Sequence, residues 1–165
     1  MNDCARDLAR ILTDYGKLRD AEFYDETGLQ LIRWHKICIT GSMNPSAVLS
    51  GGIGNAYMVR DPNLREHLKG CMDEVFAAVP VILKREFPPN LAKPEKIITS
   101  TERNTGAKPS RQADGIGGHS RKSIRIARAH GVEMPRLQTL YALLKSASKA
   151  REAEKKKQTT RASNL

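Results

Sequence analysis

Strand-forming runs are nearly absent from these 165 residues. Only residues 79–82 and 97–99 are β-branched enough to look extended, so the expected fold is all-α. Cysteine is scarce as well. Cys4, Cys38 and Cys71 are odd in number and widely spaced, with no Cys-x-x-Cys pair. That pattern suggests neither a zinc site nor a disulfide framework, and it reads as reduced thiols, Cys38 a small core residue. No apolar run approaches the roughly 18 residues of a membrane span. The N-terminus carries acids and lacks the apolar stretch of a secretory signal, and it is too acidic for a transit peptide. These exclusions point to a cytoplasmic protein with no membrane partner.

Acidic residues become rare toward the C-terminus. Residues 1–106 hold 14 Lys/Arg against 14 Asp/Glu, whereas residues 107–165 hold 14 against 4, so the whole net charge of +10 lies in the second segment. The length suits one domain with a real core. The expected division is a helical domain over 1–148 and a basic tail over 149–165, frayed helix and then disordered.

Helical periodicity is what remains. Leu8, Ile11, Leu12 and Tyr15 follow an i, i+3, i+4, i+7 spacing, with Gly16 as a C-cap. A second helix is expected from about Glu26 to Met43, capped by Asp25 or Thr27 and stopped or kinked by Pro45. A glycine-rich bend and a short helix follow. Asp61 and Pro62 suit the N-cap and first position of a long helix bearing Leu64, Leu68, Cys71, Met72, Val75, Phe76 and Val79. Pro80 is expected to kink it, and Pro88-Pro89 to end the region. Residues 90–120 read as a long loop with one helical turn, then a basic helix from Ser120 to His130 ending at Gly131. Met134-Pro135 opens the last helix, with Leu137, Leu140, Tyr141, Leu143 and Leu144 as its apolar face.

The second helix carries the densest chemistry. Lys36, Thr40 and Asn44 are spaced i, i+4, i+8 and share one face. A lysine and an amide in register beside a helix break can polarise a substrate carbonyl. By contrast, Gly52-Ile53-Gly54-Asn55-Ala56-Tyr57 only superficially opens like a dinucleotide fingerprint. No hydrophobic strand precedes it, and Tyr57 stands where a small residue belongs. A tight bend between helices is the reading. His35 and His130 lack ligand partners at metal-binding spacing and read as structural or exposed, and Trp34 as core.

Trp34-His35-Lys36, Asn44-Pro45 and the Asp61-Pro62-Asn63-Leu64-Arg65 helix start resemble the C-terminal domain of ketopantoate reductase (2-dehydropantoate 2-reductase). The resemblance returns at Lys108-Pro109-Ser110 with Gln112 and Asp114, and again from Ala127 to Pro135 and Leu140 to Lys145; in all it covers about residues 5–148. It implies the all-α bundle of the 6-phosphogluconate dehydrogenase C-terminal-like type. In such enzymes an N-terminal Rossmann domain holds NADPH, and the helical domain supplies the substrate site. Carried over, Lys36 is the general acid that protonates the ketone oxygen. Asn44 positions the substrate or the lysine, and Ser110 contacts a substrate carboxylate or hydroxyl. Thr40 stands where the family has a second asparagine, and the glycine-rich interval 115–123 lacks the family's carboxylate.

Because the chain holds no Rossmann segment, the expectation is that it binds no cofactor alone and has no reductase activity by itself. The implied partners are a 2-keto acid substrate and either a second copy or a separate Rossmann domain. The alternative is a stand-alone basic helical interaction module that binds nucleic acid or a protein partner. Arg121, Lys122, Arg125 and Arg128 line one side of a helix, and Lys155, Lys156 and Lys157 extend the field. With no aromatic residue interleaved, nucleic acid is not the expected partner.

Overall fold

The computed structural model describes residues 3–19, 21–103 and 116–163. Every regular element among them is a helix: α1 (Asp3–Asp14), α2 (Glu26–Leu49), α3 (Asn55–Met58), α4 (Pro62–Leu83), α5 (Pro94–Arg103), α6 (Ile116–Ala129) and α7 (Pro135–Ser163). The all-α expectation holds. Helix α2 is the centre of the bundle: α4, α6 and α7 pack on it, α6 and α7 pack on each other, and α5 closes over α3 and α4.

The helix starts follow local chemistry. Asp25 is extended and its carboxylate accepts from the Gly28 N–H at 2.6 Å. Asp61 does the same for Leu64 at 2.9 Å, with Pro62 in the first turn where its lost N–H costs nothing. The last helix begins differently. The N-cap position falls to Met134, whose carbonyl accepts from Gln138 at 2.9 Å but whose side chain is apolar and buried. The cap comes from α4 instead. Glu74 accepts from the Arg136 N–H at 2.8 Å and from the Leu137 N–H at 3.1 Å. The two helices approach closely here, since a Cβ added at Gly70 would lie 2.6 Å from Arg136 Nε.

The inner face of α2 presents Leu31, Trp34 and Cys38, and further along Met43, Ala47 and Val48. Facing them on α4 are Leu68, Cys71, Met72, Val75, Ala78 and Val79, all buried. Ile124 and Ala127 of α6 and Met134, Leu137 and Leu140 close the core. His35 belongs to this framework. Its Nε2 lies 2.9 Å from the Ala92 carbonyl, and its ring meets Phe76 and Phe87 edge-on.

Four expectations are corrected. Helix α2 does not stop at Met43: it runs through Pro45 to Leu49, because Pro45, Ser46, Ala47 and Val48 are buried and continuing the helix keeps them in the core. Ser42 and Ser46 donate to the Cys38 and Ser42 carbonyls at 2.7 and 2.8 Å, on either side of the Gly41 carbonyl that the proline leaves without its helical donor. Residues 79–82 are not extended but lie within α4, which continues past Pro80. Residues 97–99 are helical too, within α5. Ile97 and Ile98 are buried, and Arg65 of α4 grips the outer side through Glu102 at 2.9 Å and Glu95 at 3.5 Å. Helix α6 starts before Ser120, at Ile116.

Two helices behave unlike ordinary amphipathic ones. Helix α7 runs from Pro135 to Ser163, through an Ala-, Lys-, Glu- and Arg-rich stretch of high helix propensity. Helix α1 buries none of its residues, and Leu8, Ile11 and Tyr15 are all more than half exposed. It closes with Lys17, not Gly16, in the left-handed conformation (φ 49°). Among the described residues no helix is long and apolar enough to cross a membrane.

Candidate functional site

The outer face of α2 follows from its inner one. Burying Trp34 and Cys38 turns Arg33, Lys36, Ile37 and Thr40 outward, by the 3.6-residue period alone. These four side chains line a groove of about 300 Å³. Lys36 is exposed and reaches into it with its four-carbon stem; Thr40 sits one turn further on and donates its hydroxyl back to the Lys36 carbonyl at 2.8 Å. That bond occupies the Thr40 proton, leaving the hydroxyl oxygen as an acceptor toward the groove.

The structure thus brings Lys36 and Thr40 together, as their spacing predicts. Asn44 lies two turns along the same face, half-buried, just before Pro45. The helical rise separates its backbone from that of Lys36 by about 12 Å. One small molecule can touch both only if the two side chains lean toward each other. Ser110 lies outside the described residues, with Lys108, Pro109, Gln112 and Asp114.

Arg33 is the residue that the sequence reading passed over. It stands three residues before Lys36, so the two cations are neighbours on the helix surface. Its signal in the sequence is the i, i+3 spacing to Lys36, on the N-terminal side of the lysine. Two neighbouring cations beside Ile37 favour a small anion.

Other reactive groups are spoken for or shielded. Burial pushes the Cys38 thiol well up, and the Cys71 thiol up to about 12, so neither is a nucleophile at neutral pH. His67 Nε2 lies 3.6 Å from Cys71 Sγ, and burial, then the Arg136 charge, lowers its pKa. No group of three or more His, Cys, Asp or Glu residues suited to a metal ion occurs among the described residues.

The glycine-rich bend is the turn between helices that the sequence suggests. Gly51 and Gly52 take positive φ (80° and 86°), directly after α2 and before the four-residue α3. A dinucleotide's pyrophosphate needs a turn that leaves a strand and opens a long helix. The described residues do not fit that requirement.

A comparison with curated proteins found no match. A family model described as "Ketopantoate reductase PanE/ApbA C terminal" matches residues 28–148, which include all of the groove and the core helices around it. By this match, and with the helical bundle that accompanies it, the chain belongs to the ketopantoate reductase C-terminal domain family.

Proposed function

We propose that this chain is the substrate-handling helical part of a 2-dehydropantoate 2-reductase-like oxidoreductase. The reaction is the NADPH-dependent reduction of 2-dehydropantoate to (R)-pantoate, on the way to pantothenate and coenzyme A. The observation that carries the reading is Lys36, exposed in a groove beside a second cation, inside the segment that matches the family.

A 2-keto acid offers a carboxylate and an adjacent ketone. Arg33 can pair with the carboxylate in a planar two-point contact. Lys36 Nζ then donates a hydrogen bond to the ketone oxygen. As negative charge develops on that oxygen, the ammonium stabilises it and transfers its proton, leaving a neutral amine and a hydroxyl. Asn44 orients the far end of the substrate, and Ser110 supplies the carboxylate or hydroxyl contact that the family resemblance implies. NADPH supplies the hydride in this reaction. The glycine-rich bend does not fit a dinucleotide's pyrophosphate, so in this reading the chain's own part is the carbonyl side, with the hydride donor held by a Rossmann domain on another segment or chain.

The test is titration of the purified chain with 2-dehydropantoate, followed by amide NMR shifts. Residues 33–40 are expected to move, and Lys36→Ala is expected to weaken binding about tenfold, as removal of one charge-assisted hydrogen bond should. NADPH oxidation by the chain alone is expected to stay at the Lys36→Ala level. Binding that leaves residues 33–40 unmoved, or is unchanged in Lys36→Ala, rules the reading out.

A further inference from the structure

A second groove, sharing no lining residue with the first, runs between α6 and α7. It encloses about 430 Å³. Arg121, Arg125 and Arg128 line it from α6, and Gln138, Tyr141 and Lys145 from α7. The packing of α6 makes this row: Ile124 and Ala127 point into the core, so the arginines at i, i+4 and i+7 turn outward together. Arg128 is partly engaged, by Glu133 at 3.4 Å and by the Gln138 side-chain oxygen. Arg121, Arg125 and Lys145 have no ion pair among the described residues.

Like charges gathered without counter-ions raise the local potential and attract an anion. The cations are strung out, not focused on one point. Arg121 and Arg128 are separated by about 10 Å of helix, and Lys149 continues the Lys145 face one turn beyond the groove. A mononucleotide would meet only part of such a row, whereas a repeated phosphate would meet all of it. On sequence alone the basic segment lacks an interleaved aromatic, but the fold supplies one. Tyr141, half-buried and packed in part against the core, lines the same groove from α7. A basic track with a ring for a base to stack on is how proteins hold an unpaired strand.

We propose that the α6–α7 groove binds single-stranded nucleic acid through its phosphate backbone, without sequence preference. The probe is a fluorescein-labelled strand of twelve thymidines, read by anisotropy at 100 mM salt. Arg121→Ala with Arg125→Ala is expected to weaken binding about tenfold or more and to flatten the dependence of log K on log salt by about 1.4, roughly 0.7 for each phosphate no longer neutralised. Lys145→Ala, on the opposite wall, is expected to shift binding the same way by a smaller factor. Lys93→Ala with Lys96→Ala removes the same charge at the start of α5, where neither lysine lines the groove, and is expected to change binding less than twofold. Equal losses in the two double variants would show attraction by net charge alone and overturn the proposal. So would failure of the strand to bind at all. Full displacement of the strand by an equal concentration of ADP would assign the groove to a free nucleotide and overturn the strand reading.

Discussion

Removing the Glu74 carboxylate is expected to detach the start of α7 from α4. Helix α7 has no side-chain cap of its own, because the Met134 side chain is apolar and cannot accept from the first-turn amides, and Pro135 has no N–H to satisfy. Glu74, only 10% exposed, accepts from the next two amides. Hydrogen bonds to a charged group contribute about 1.5–3 kcal/mol each, and a carboxylate at a helix N-terminus about 0.3–1 kcal/mol more. The two amides are not equivalent. Arg136 is exposed, so water can replace the carboxylate there. Leu137 is buried, and its N–H would be left without an acceptor. The cost of Glu74→Ala should therefore be about 3 kcal/mol, seen in urea unfolding as a lower midpoint at unchanged slope, or as a fall in Tm of about 6–12 °C. Glu74→Gln keeps one acceptor oxygen and should cost about 1 kcal/mol. The carboxylate also lies 3.8 Å from the Arg136 guanidinium, which is 55% exposed, so Arg136→Ala should cost under about 1 kcal/mol. A Glu74→Ala variant within about 0.5 kcal/mol of the parent would refute the capping argument.

The remaining predictions are quicker to test. A thiol reagent at pH 8 should modify Cys4 in the folded chain and reach Cys38 and Cys71 only after unfolding, since burial both hides them and keeps them protonated; three fast-reacting thiols in the native chain would contradict this. The lowered pKa of His67 means that the unfolded chain binds its proton first, so stability should hold above about pH 6.5 and fall as pH drops through the folded value. His67→Gln should flatten that fall, which unfolding midpoints between pH 7.5 and 5 would report. Lys36→Ala should leave the unfolding midpoint within about 0.5 kcal/mol, because Lys36 is exposed and makes no ion pair among the described residues, so any loss of ligand binding in that variant is local.

Features set by neighbouring residues were legible in the sequence. Asp25 and Asp61 cap the helices they precede, Gly131 ends α6 with φ 73°, and Pro135 opens α7. Features set by distant contacts were not. Ile97 and Ile98 look like strand formers by propensity, yet α5 is helical because both pack into the core while Glu95 and Glu102 meet Arg65. Pro45 reads as a stop or kink and Pro80 as a kink, yet both helices run on, with Ser46, Ala47 and Val48 buried after the first and Ile82 and Leu83 packed against the core after the second. Glu74 lies 62 residues from the amide it caps, so no local pattern announces it. The site divides in the same way. The alignment of Lys36 with Thr40 follows from spacing, while the groove and the place of Tyr141 beside the arginines exist only once helices have packed.

The lysine face and the core are two sides of one helix. Trp34 and Cys38 hold α2 at the centre of the bundle, and their burial is what turns Lys36 outward. Selection for folding alone would therefore preserve the direction in which Lys36 projects, even in a lineage where the reaction no longer mattered. Selection for the reaction would in turn be restricted to changes in side chains. Tilting or sliding α2 would disturb every helix packed on it, so under the proposed function substrate range should evolve by substitution at groove positions such as Arg33 and Thr40, not by movement of the backbone that carries them.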